Sequence, residues 1–321
     1  MILVCGEGLI DFLPTRSEAG HACYRPMVGG SPLNVAVGLG RLGVATGFAG
    51  GISTDFFGDM LAGALTGAGV DLTASARLDR PSTLAFASLD AIEPRYAFYD
   101  AAAADRHFVP AALPAAATVL HTGSLALVRE PSAAGVEAVI RAARADGRLV
   151  SLDPNIRPDH IPDAAAHRAR LARCFAIADL VKLSLADLAW IAPGQTAETF
   201  AAALLHQGVG LVVVTRGGEG ASAFRDADRF DRPTRKVRVV DTVGAGDAFM
   251  AGLLAGLAEA GCLSPGALRG AGEAAIGHAL ALALLAGAHV CARPGADPPW
   301  RRELDIQAPR RDEGARARDC T

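Results

Sequence analysis

A short run in the C-terminal third combines small residues with a carboxylate in an order suited to phosphate chemistry. In Gly244-Ala245-Gly246-Asp247, three small residues leave their backbone N–H groups unshielded, and a carboxylate follows at once. An extended, β-branched run precedes them and an apolar helical pattern, Ala248–Leu257, follows. Amides at a helix N-terminus attract phosphate oxygens, and Asp247 could take the proton of an attacking hydroxyl. Taken alone, the run could equally be a tight turn in which Asp247 caps the helix.

A second glycine run, Gly29-Gly30-Ser31-Pro32-Leu33-Asn34, also precedes a helical pattern. The paired glycines permit close backbone approach, and Pro32 suits the first turn of a helix that continues through Leu42. Asn34 offers an amide to whatever lies above the glycines. Helix capping by Asn34 is the alternative.

Composition narrows the chemistry that this chain can use. Its 321 residues, 51% hydrophobic and 20% charged, suit one large core, and a net charge of -3 gives no electrostatic reason to expect nucleic acid or an acidic membrane. Lys182 and Lys236 are the only lysines, and no Gly-Lys dipeptide occurs, so a P-loop is excluded. Phosphate must then be held by backbone amides, arginine or a metal.

The cysteines and the N-terminus favour a cytoplasmic protein. Six cysteines are scattered without a C-x-x-C pair, which argues against disulfides or zinc and for a reducing compartment. The N-terminus enters an apolar strand without a basic region, so we expect no signal peptide. The segment Ala274–Val290 has the apolarity of a membrane span, but its alanine content favours a helix buried in the core.

From residue 118 onward, strand and helix patterns alternate, which predicts an α/β fold with a mostly parallel sheet flanked by helices. The predicted strands are 2–5, Val119–Thr122, Leu149–Leu152, Leu180–Leu183 and Leu211–Thr215; the predicted helices are Ser132–Ala145, Ala164–Ala176, Leu185–Ile191 and Ala197–His206. Ligands of such sheets bind at the carboxyl ends of strands. Polar residues gather at those ends: Asp11, Asp153–Arg157, Ser184, Thr215–Gly217 and Gly244–Asp247.

Two alternating stretches, Thr83–Leu89 and Arg95–Tyr99, fall outside this rhythm and predict antiparallel strands joined by a turn around Glu93-Pro94. With residues 12–28 they would form a small sheet that serves as a lid. We expect one domain over residues 1–307, with a lid from about 12–30 and 83–105, and a disordered tail over 308–321. The apolar face of such a lid needs cover, which predicts a homodimer through the lid.

The two glycine runs resemble the N-terminal and C-terminal signatures of the ribokinase-like (PfkB) carbohydrate kinases, and the similarity spans about residues 1–307. The resemblance implies ATP-dependent, magnesium-requiring phosphorylation of a sugar hydroxyl on a Rossmann-like core with a β lid. Four further strings resemble bacterial fructokinases, which convert D-fructose to fructose 6-phosphate. They are Ile52–Asp59, Tyr96–Asp100, Ser151–Pro158 and Lys182–Ser184.

The same resemblance implies a role for each matching residue. Asp247 would be the base, and Gly244, Ala245 and Gly246 would donate N–H groups to the transferred phosphoryl. Asp11, Gly30 and Asn34 would hold sugar hydroxyls, and Arg157 would reach the substrate or the phosphate. The nucleotide site would include Ser184, Thr215, Gly217, Gly220 and His278, although His278 could instead be a satisfied core histidine. Asp241 and the Val243 carbonyl would hold a monovalent cation such as K⁺.

Other functions fit parts of the sequence. Within the family, a 2-keto-3-deoxygluconate kinase or a nucleoside kinase is the alternative. A non-catalytic sugar- or nucleotide-binding regulator has the same fold but no need of Asp247. An NAD-dependent oxidoreductase rests only on Gly6-Glu7-Gly8, an incomplete dinucleotide fingerprint. Ser184-Leu185-Ala186-Asp187 departs from the family's Asn-x-x-Glu, a change that bears on magnesium.

Overall fold

The computed structural model of the protein describes residues 1–88, 96–110 and 112–304. Buried runs of Val, Leu and Ile form most of the strands, because such residues pack well on both faces of a sheet. In chain order the strands are β1 Ile2–Cys5, β2 Leu9–Arg16, β3 Ala22–Gly29, β4 Thr46–Ala49, β5 Gly51–Ser53, β6 Ala76–Leu78, β7 Thr83–Ala87, β8 Tyr96–Tyr99, β9 Val119–Gly123, β10 Leu149–Asp153, β11 Leu180–Ser184, β12 Leu211–Thr215, β13 Ala221–Arg225 and β14 Asp228–Arg232.

Helices connect and cover these strands. The α-helices are α1 Ser31–Arg41, α2 Phe56–Gly67, α3 Ser132–Ala145, α4 Ala164–Phe175, α5 Leu185–Ile191, α6 Ala197–His206, α7 Ala245–Glu259, α8 Pro265–Arg269 and α9 Glu273–Cys291. Short 3₁₀ turns span Ser124–Leu127, Pro158–His160, Gly217–Glu219 and Arg301–Glu303.

The central sheet has eight strands in the order β14-β13-β12-β11-β10-β9-β1-β4. The six strands from β12 to β4 are parallel, and β13 pairs antiparallel with both β12 and β14. Alternate residues of each strand face opposite cores, so Val4 packs on the side of α1, α7 and α9 while Leu3 packs on the side of α3, α4 and α6. The predicted α/β class with a mostly parallel sheet is therefore confirmed.

A second sheet of four strands, in the order β3-β2-β7-β8, forms the small sheet expected from the sequence. β7 pairs antiparallel with β8, and β2 joins β7 in parallel. The aromatic rings of Phe12, Tyr24 and Phe86 pack together on it, with Phe12 and Phe86 stacked at 4.4 Å between ring centroids. The turn around Glu93-Pro94, the residue Arg95 and the tail from residue 308 lie outside the described residues.

Helix α7 lies in the core between α1 and α9, at close range to both. A Cβ at Gly256 would stand 2.5 Å from Ala279 Cα of α9, and one at Gly252 would stand 2.7 Å from Ala283 Cα. On the other side, a Cβ at Gly38 of α1 would stand 2.7 Å from the Cβ of Ala251. These contacts prevent α7 from shifting along its axis, and the position of its first turn is therefore fixed.

Helix α9 contains the segment whose apolarity imitates a membrane span. Among the described helices it alone has the length and hydropathy to cross a bilayer, but 61% of its most apolar window is buried in the protein. Its partner is α7, so its apolar surface is used inside the core, as the alanine content indicated.

Candidate active site

The first turn of α7 presents open backbone donors. Gly244 is the residue before the helix and has a φ of 75°, a left-handed conformation that favours glycine. The Ala245 N–H donates to the Thr242 carbonyl at 3.3 Å. Within the described part of the chain, the N–H groups of Gly246 and Asp247 have no acceptor. The open anion donors are thus centred on Gly246 and Asp247, and Ala245, which the sequence also suggested, is already engaged.

The Asp247 carboxylate is held by the start of a different helix. Ser31 Oγ donates to Asp247 Oδ1 at 2.7 Å, and Asn34 Nδ2 donates to Oδ2 at 2.9 Å. Asp247 is 7% exposed and makes no capping bond to its own helix. The interpretation of Asp247 as a helix cap is wrong, and so is that of Asn34, because their side chains bind each other between helices α1 and α7.

Gly30 has a steric reason to be glycine. Its φ is 101°, and a Cβ there would stand 2.8 Å from the Glu7 carbonyl oxygen. The close approach lets the first turn of α1 sit beside the end of β1 and aims Ser31 and Asn34 at Asp247. Gly30 therefore shapes the site as well as lining it.

A cavity of 390 Å³ opens above Asp247 and contains the residues expected to hold a sugar. Asp11, Gly30, Asn34 and Arg157 all line it. Asp11 lies inside strand β2 of the small sheet, not at the end of β1 as the sequence suggested. Burial raises the pKa of Asp11 to about 6, an effect that nearby Arg157 reduces and the Asp247 charge increases.

The loop after β10 brings Arg157 to this cavity. Asn155 adopts a left-handed φ of 39°, and Arg157 Nη1 donates to Asn155 Oδ1 at 2.8 Å. Asp187, at the start of α5, anchors the loop by accepting from the Ile156 N–H at 2.8 Å. The Asp153 carboxylate instead turns into the protein, where Lys182 Nζ donates to it at 2.7 Å.

A second cavity, of 470 Å³, lies on the other side of the first turn of α7. Thr215, Gly217 and Gly220 line it, as expected for the nucleotide site, together with apolar residues of α9 such as Ala288. Thr242 and Gly246 line both cavities. The open amides of α7 therefore lie where the two cavities meet.

The structure does not bring two of the predicted nucleotide residues to this cavity. Ser184 caps α5 by a reciprocal pair of bonds with Asp187, its Oγ donating at 2.6 Å. His278 pairs with Glu259 at 2.7 Å, on the surface. It precedes Leu284, the first α9 residue of the lining, by six residues, or about 9 Å along a helix. Neither side chain reaches the cavity, because each is engaged elsewhere.

Asp241 and Val243, the candidate cation residues, form a tight turn before α7. Asp241 Oδ1 accepts from the Val243 N–H at 3.0 Å, and Oδ2 accepts from the Gly295 N–H at 2.8 Å. Among the described residues no group of three His, Cys, Asp or Glu side chains is arranged to hold a metal. A cation at this turn would need carbonyl oxygens as well as the carboxylate.

Several site residues had no role in the sequence analysis. Glu7 is 3% exposed and lines the 390 Å³ cavity, where Ser31, Tyr96 and His160 also lie. Glu7 lies between two glycines at the end of β1, and this position could have marked it as a site residue. The sequence analysis considered these glycines only as an incomplete dinucleotide fingerprint. The position of Lys236 in the second cavity had no such signal.

Comparisons with known proteins agree with this geometry. Residues 2–302 match the family model described as pfkB family carbohydrate kinase. A fructokinase of Rhizobium leguminosarum bv. trifolii is 43% identical over 260 residues, 80% of this chain and 79% of that protein. The crystal structure of a Xylella fastidiosa fructokinase with bound ATP is similar with a TM-score of 0.83 and 31% identity, covering 92% of this chain and 93% of that one. A double mutant of fructokinase from Vibrio cholerae O395, with fructose, ADP and a potassium ion bound, has a TM-score of 0.80 and 27% identity, covering 92% and 93%.

Proposed function

Because the chain belongs to the pfkB family of carbohydrate kinases, we propose that it transfers the terminal phosphoryl group of ATP to the primary hydroxyl of D-fructose, giving fructose 6-phosphate and ADP. One observation carries the proposal. The buried Asp247 carboxylate, held by Ser31 and Asn34, lines the 390 Å³ cavity directly after Gly246, a residue that this cavity shares with the 470 Å³ cavity.

The reaction needs a base for the hydroxyl and an anion site for the phosphoryl. A sugar in the 390 Å³ cavity contacts Asp11 and Arg157 and places one hydroxyl against Asp247. Asp247 takes the proton of that hydroxyl as its oxygen bonds to the γ-phosphorus. The open N–H groups of Gly246 and Asp247 donate to the phosphoryl oxygens, and the positive end of α7 adds to the field.

Magnesium enters this proposal with ATP. Asp187, which replaces the acid of the family's Asn-x-x-Glu, already accepts from the Ile156 N–H, the Ser184 N–H and the Ser184 hydroxyl. Mg²⁺ in kinases is commonly held by substrate phosphates and water with one or two carboxylates, which fits a site with few free protein ligands. When bound, the ion neutralises phosphate charge.

Potassium activation is a further part of the proposal. Each oxygen of Asp241 accepts one N–H and keeps lone pairs for a cation, and the Val243 carbonyl adds a second oxygen ligand. Such hard oxygen donors suit K⁺. Comparing turnover in potassium chloride and in choline chloride tests this; equal rates would argue against a potassium site.

We place the enzyme in the cytoplasm as a homodimer joined through the small sheets. The five described cysteines are free thiols, in keeping with a reducing compartment. β3 and β8 are the edge strands of the small sheet, and Tyr99 of β8 is 65% exposed. Sedimentation at several concentrations tests the dimer, and a strict monomer at high concentration would contradict it.

A sugar panel tests the function directly. ADP release is measured with ATP and with fructose, 2-keto-3-deoxygluconate or a nucleoside as acceptor. We expect the highest kcat/KM for fructose. Turnover of 2-keto-3-deoxygluconate without turnover of fructose would select that alternative kinase. Sugar binding without turnover of any acceptor would favour a non-catalytic regulator.

A further inference from the structure

The fold brings both lysines of the chain to the cleft. Lys182 and Lys236 are the only two lysines among 31 lysine and arginine residues. Lys236 lines the 470 Å³ cavity, which we call the nucleotide-sized cavity, and Lys182 lies beneath the first turn of α7. Lysine is a compact point charge, whereas arginine carries a broad planar fork. The difference matters most at Lys182, which is buried, because a compact ammonium group fits where a planar guanidinium would need more room.

Lys182 is buried directly behind the open amides. It is 3% exposed, and its Nζ donates to Asp153 Oδ2 at 2.7 Å. A Cβ at Gly246 would stand 3.2 Å from Nζ, and no other atom would be as near. The ammonium group therefore lies against the backbone of Gly246, which lines both cavities and whose N–H has no acceptor among the described residues.

Three carboxylates surround this one ammonium group. Burial lowers the pKa of Lys182, but Asp153, and then Asp187 and Asp247, outweigh burial and leave its pKa above the ordinary value. Burial raises the pKa of Asp153, and the Lys182 charge opposes the rise. Since the pKa of Lys182 is above its ordinary value, Lys182 stays protonated at neutral pH.

We propose that Lys182 is a positioning residue for phosphoryl transfer: from behind Gly246 its ammonium charge supports the anion site at the start of α7. This rests on the proposed kinase activity and concerns the site of transfer, not the sugar. The sugar oxygen bonds to the γ-phosphorus, the bond to the β–γ bridging oxygen breaks, Asp247 receives the proton, and ADP leaves with the bonding electrons. Lys182 exchanges no proton; it offsets the repulsion between carboxylates and phosphoryl.

The first test removes the buried pair without leaving an orphaned charge. Lys182→Met with Asp153→Asn keeps side-chain volume and eliminates both charges. Arg144→Met with Asp179→Asn is the matched control, since that pair joins at 2.8 Å, has a carboxylate side chain only 1% exposed, and lies at the other end of β11. Folding is checked by circular dichroism and thermal melting.

We expect kcat to fall about 10- to 100-fold in the Lys182 variant, less than the 10²–10³ of a lost direct donor, with KM for the sugar within about 3-fold. By titration calorimetry, ADP should bind nearly as in the wild type, whereas ADP with aluminium fluoride, a mimic of the moving phosphoryl, should bind at least about 10-fold more weakly. A folded variant with wild-type kcat, or an equal loss in the Arg144 control, would overturn the proposal.

A second test needs no variant and decides the matter if the double variant does not fold. Lysine labelled with ¹⁵N gives only two side-chain signals in this chain, and the buried Lys182 ammonium exchanges slowly with water. Its signal should move when ADP and aluminium fluoride are added and change little with sugar alone. An unmoved signal in a complex that calorimetry shows to be formed would overturn the proposal. Failure of the wild type to phosphorylate fructose would instead count against the assigned sugar, and the same tests then use whichever acceptor is turned over.

Discussion

Glu7 lets the electrostatics of the cleft be tested through stability. Its carboxylate is 3% exposed; Oε2 accepts from the Ala126 N–H at 3.0 Å, and within the described residues Oε1 has no partner. Burial raises the pKa of Glu7 from 4.5 to about 7, although the nearby Ser124 side chain and the Ala126 N–H oppose the rise. Glu7→Gln keeps the shape and an acceptor for Ala126 but has no charge to bury.

The direction of the effect follows from proton binding. Between pH 4.5 and about 7 the folded protein keeps a proton on Glu7 that the unfolded chain has lost. The contribution of Glu7 to stability is therefore fully present below pH 4.5 and is lost as pH rises through about 7. At 1.36 kcal/mol per pH unit, the loss across the window is about 3 kcal/mol.

Urea unfolding of wild type and Glu7→Gln at several values between pH 5 and pH 8 measures this loss. The difference in unfolding free energy should shift in favour of the variant by about 2–3 kcal/mol across that range. Glu137→Gln is the control: hydrogen bonding from Arg173 leads the effects that lower the pKa of Glu137 to about 2, so its contribution changes only below pH 4.5. Its difference from wild type should be flat where that of Glu7→Gln slopes. A flat Glu7→Gln difference would refute the reasoning.

Three further predictions concern the base, the nucleotide cavity and the packing of α7. Asp247→Asn should lower kcat by about 10²–10⁴ while calorimetry finds fructose binding nearly intact; an unchanged kcat would remove Asp247 as the base. Ala288→Leu, which fills the nucleotide-sized cavity, should raise KM for ATP about 10-fold and leave KM for fructose unchanged; equal changes in both would place the nucleotide elsewhere. Gly256→Ala should lower the free energy of unfolding, measured by thermal melting, by about 1–3 kcal/mol. Gly63→Ala, where a Cβ meets nothing within 4 Å, should raise it by about 0.5–1 kcal/mol. Similar shifts in the two variants would contradict the close packing of α7.

The local sequence pattern was sufficient to predict some of the regular elements of the core. Helix α3 spans Ser132–Ala145 and strand β12 spans Leu211–Thr215, as predicted, because their apolar periods match the buried faces that they form. Strand β4 and helix α2 were missed: β4 contains Gly47, and the glycines of α2 resemble a loop. The extended run before Asp241 was assigned no element, and in the structure residues 233–240 lie outside the strands and several of them line the 470 Å³ cavity.

The sequence predicted some of the residues that line the two cavities, but not the bonds between them. Strand ends pointed to Thr215 and to the loop bearing Arg157, because parallel strands collect ligand groups at one edge. The bond from Ser31 to Asp247 joins residues 216 positions apart, and no local pattern specifies it. His278 was assigned to the nucleotide site from the family resemblance, but in the structure it pairs with Glu259 at the surface.

The glycine contacts of α7 have a mechanical consequence for the cleft. A helix wedged at Gly252 and Gly256 against one neighbour and at Ala251 against another cannot slide or turn without collision. Its first turn is therefore a fixed wall of the cleft. The four-stranded sheet supplies Asp11, Tyr96 and Phe98 to the same cavity and is not held by these glycine contacts, so we expect any closing of the cleft around a sugar to move this sheet relative to α7.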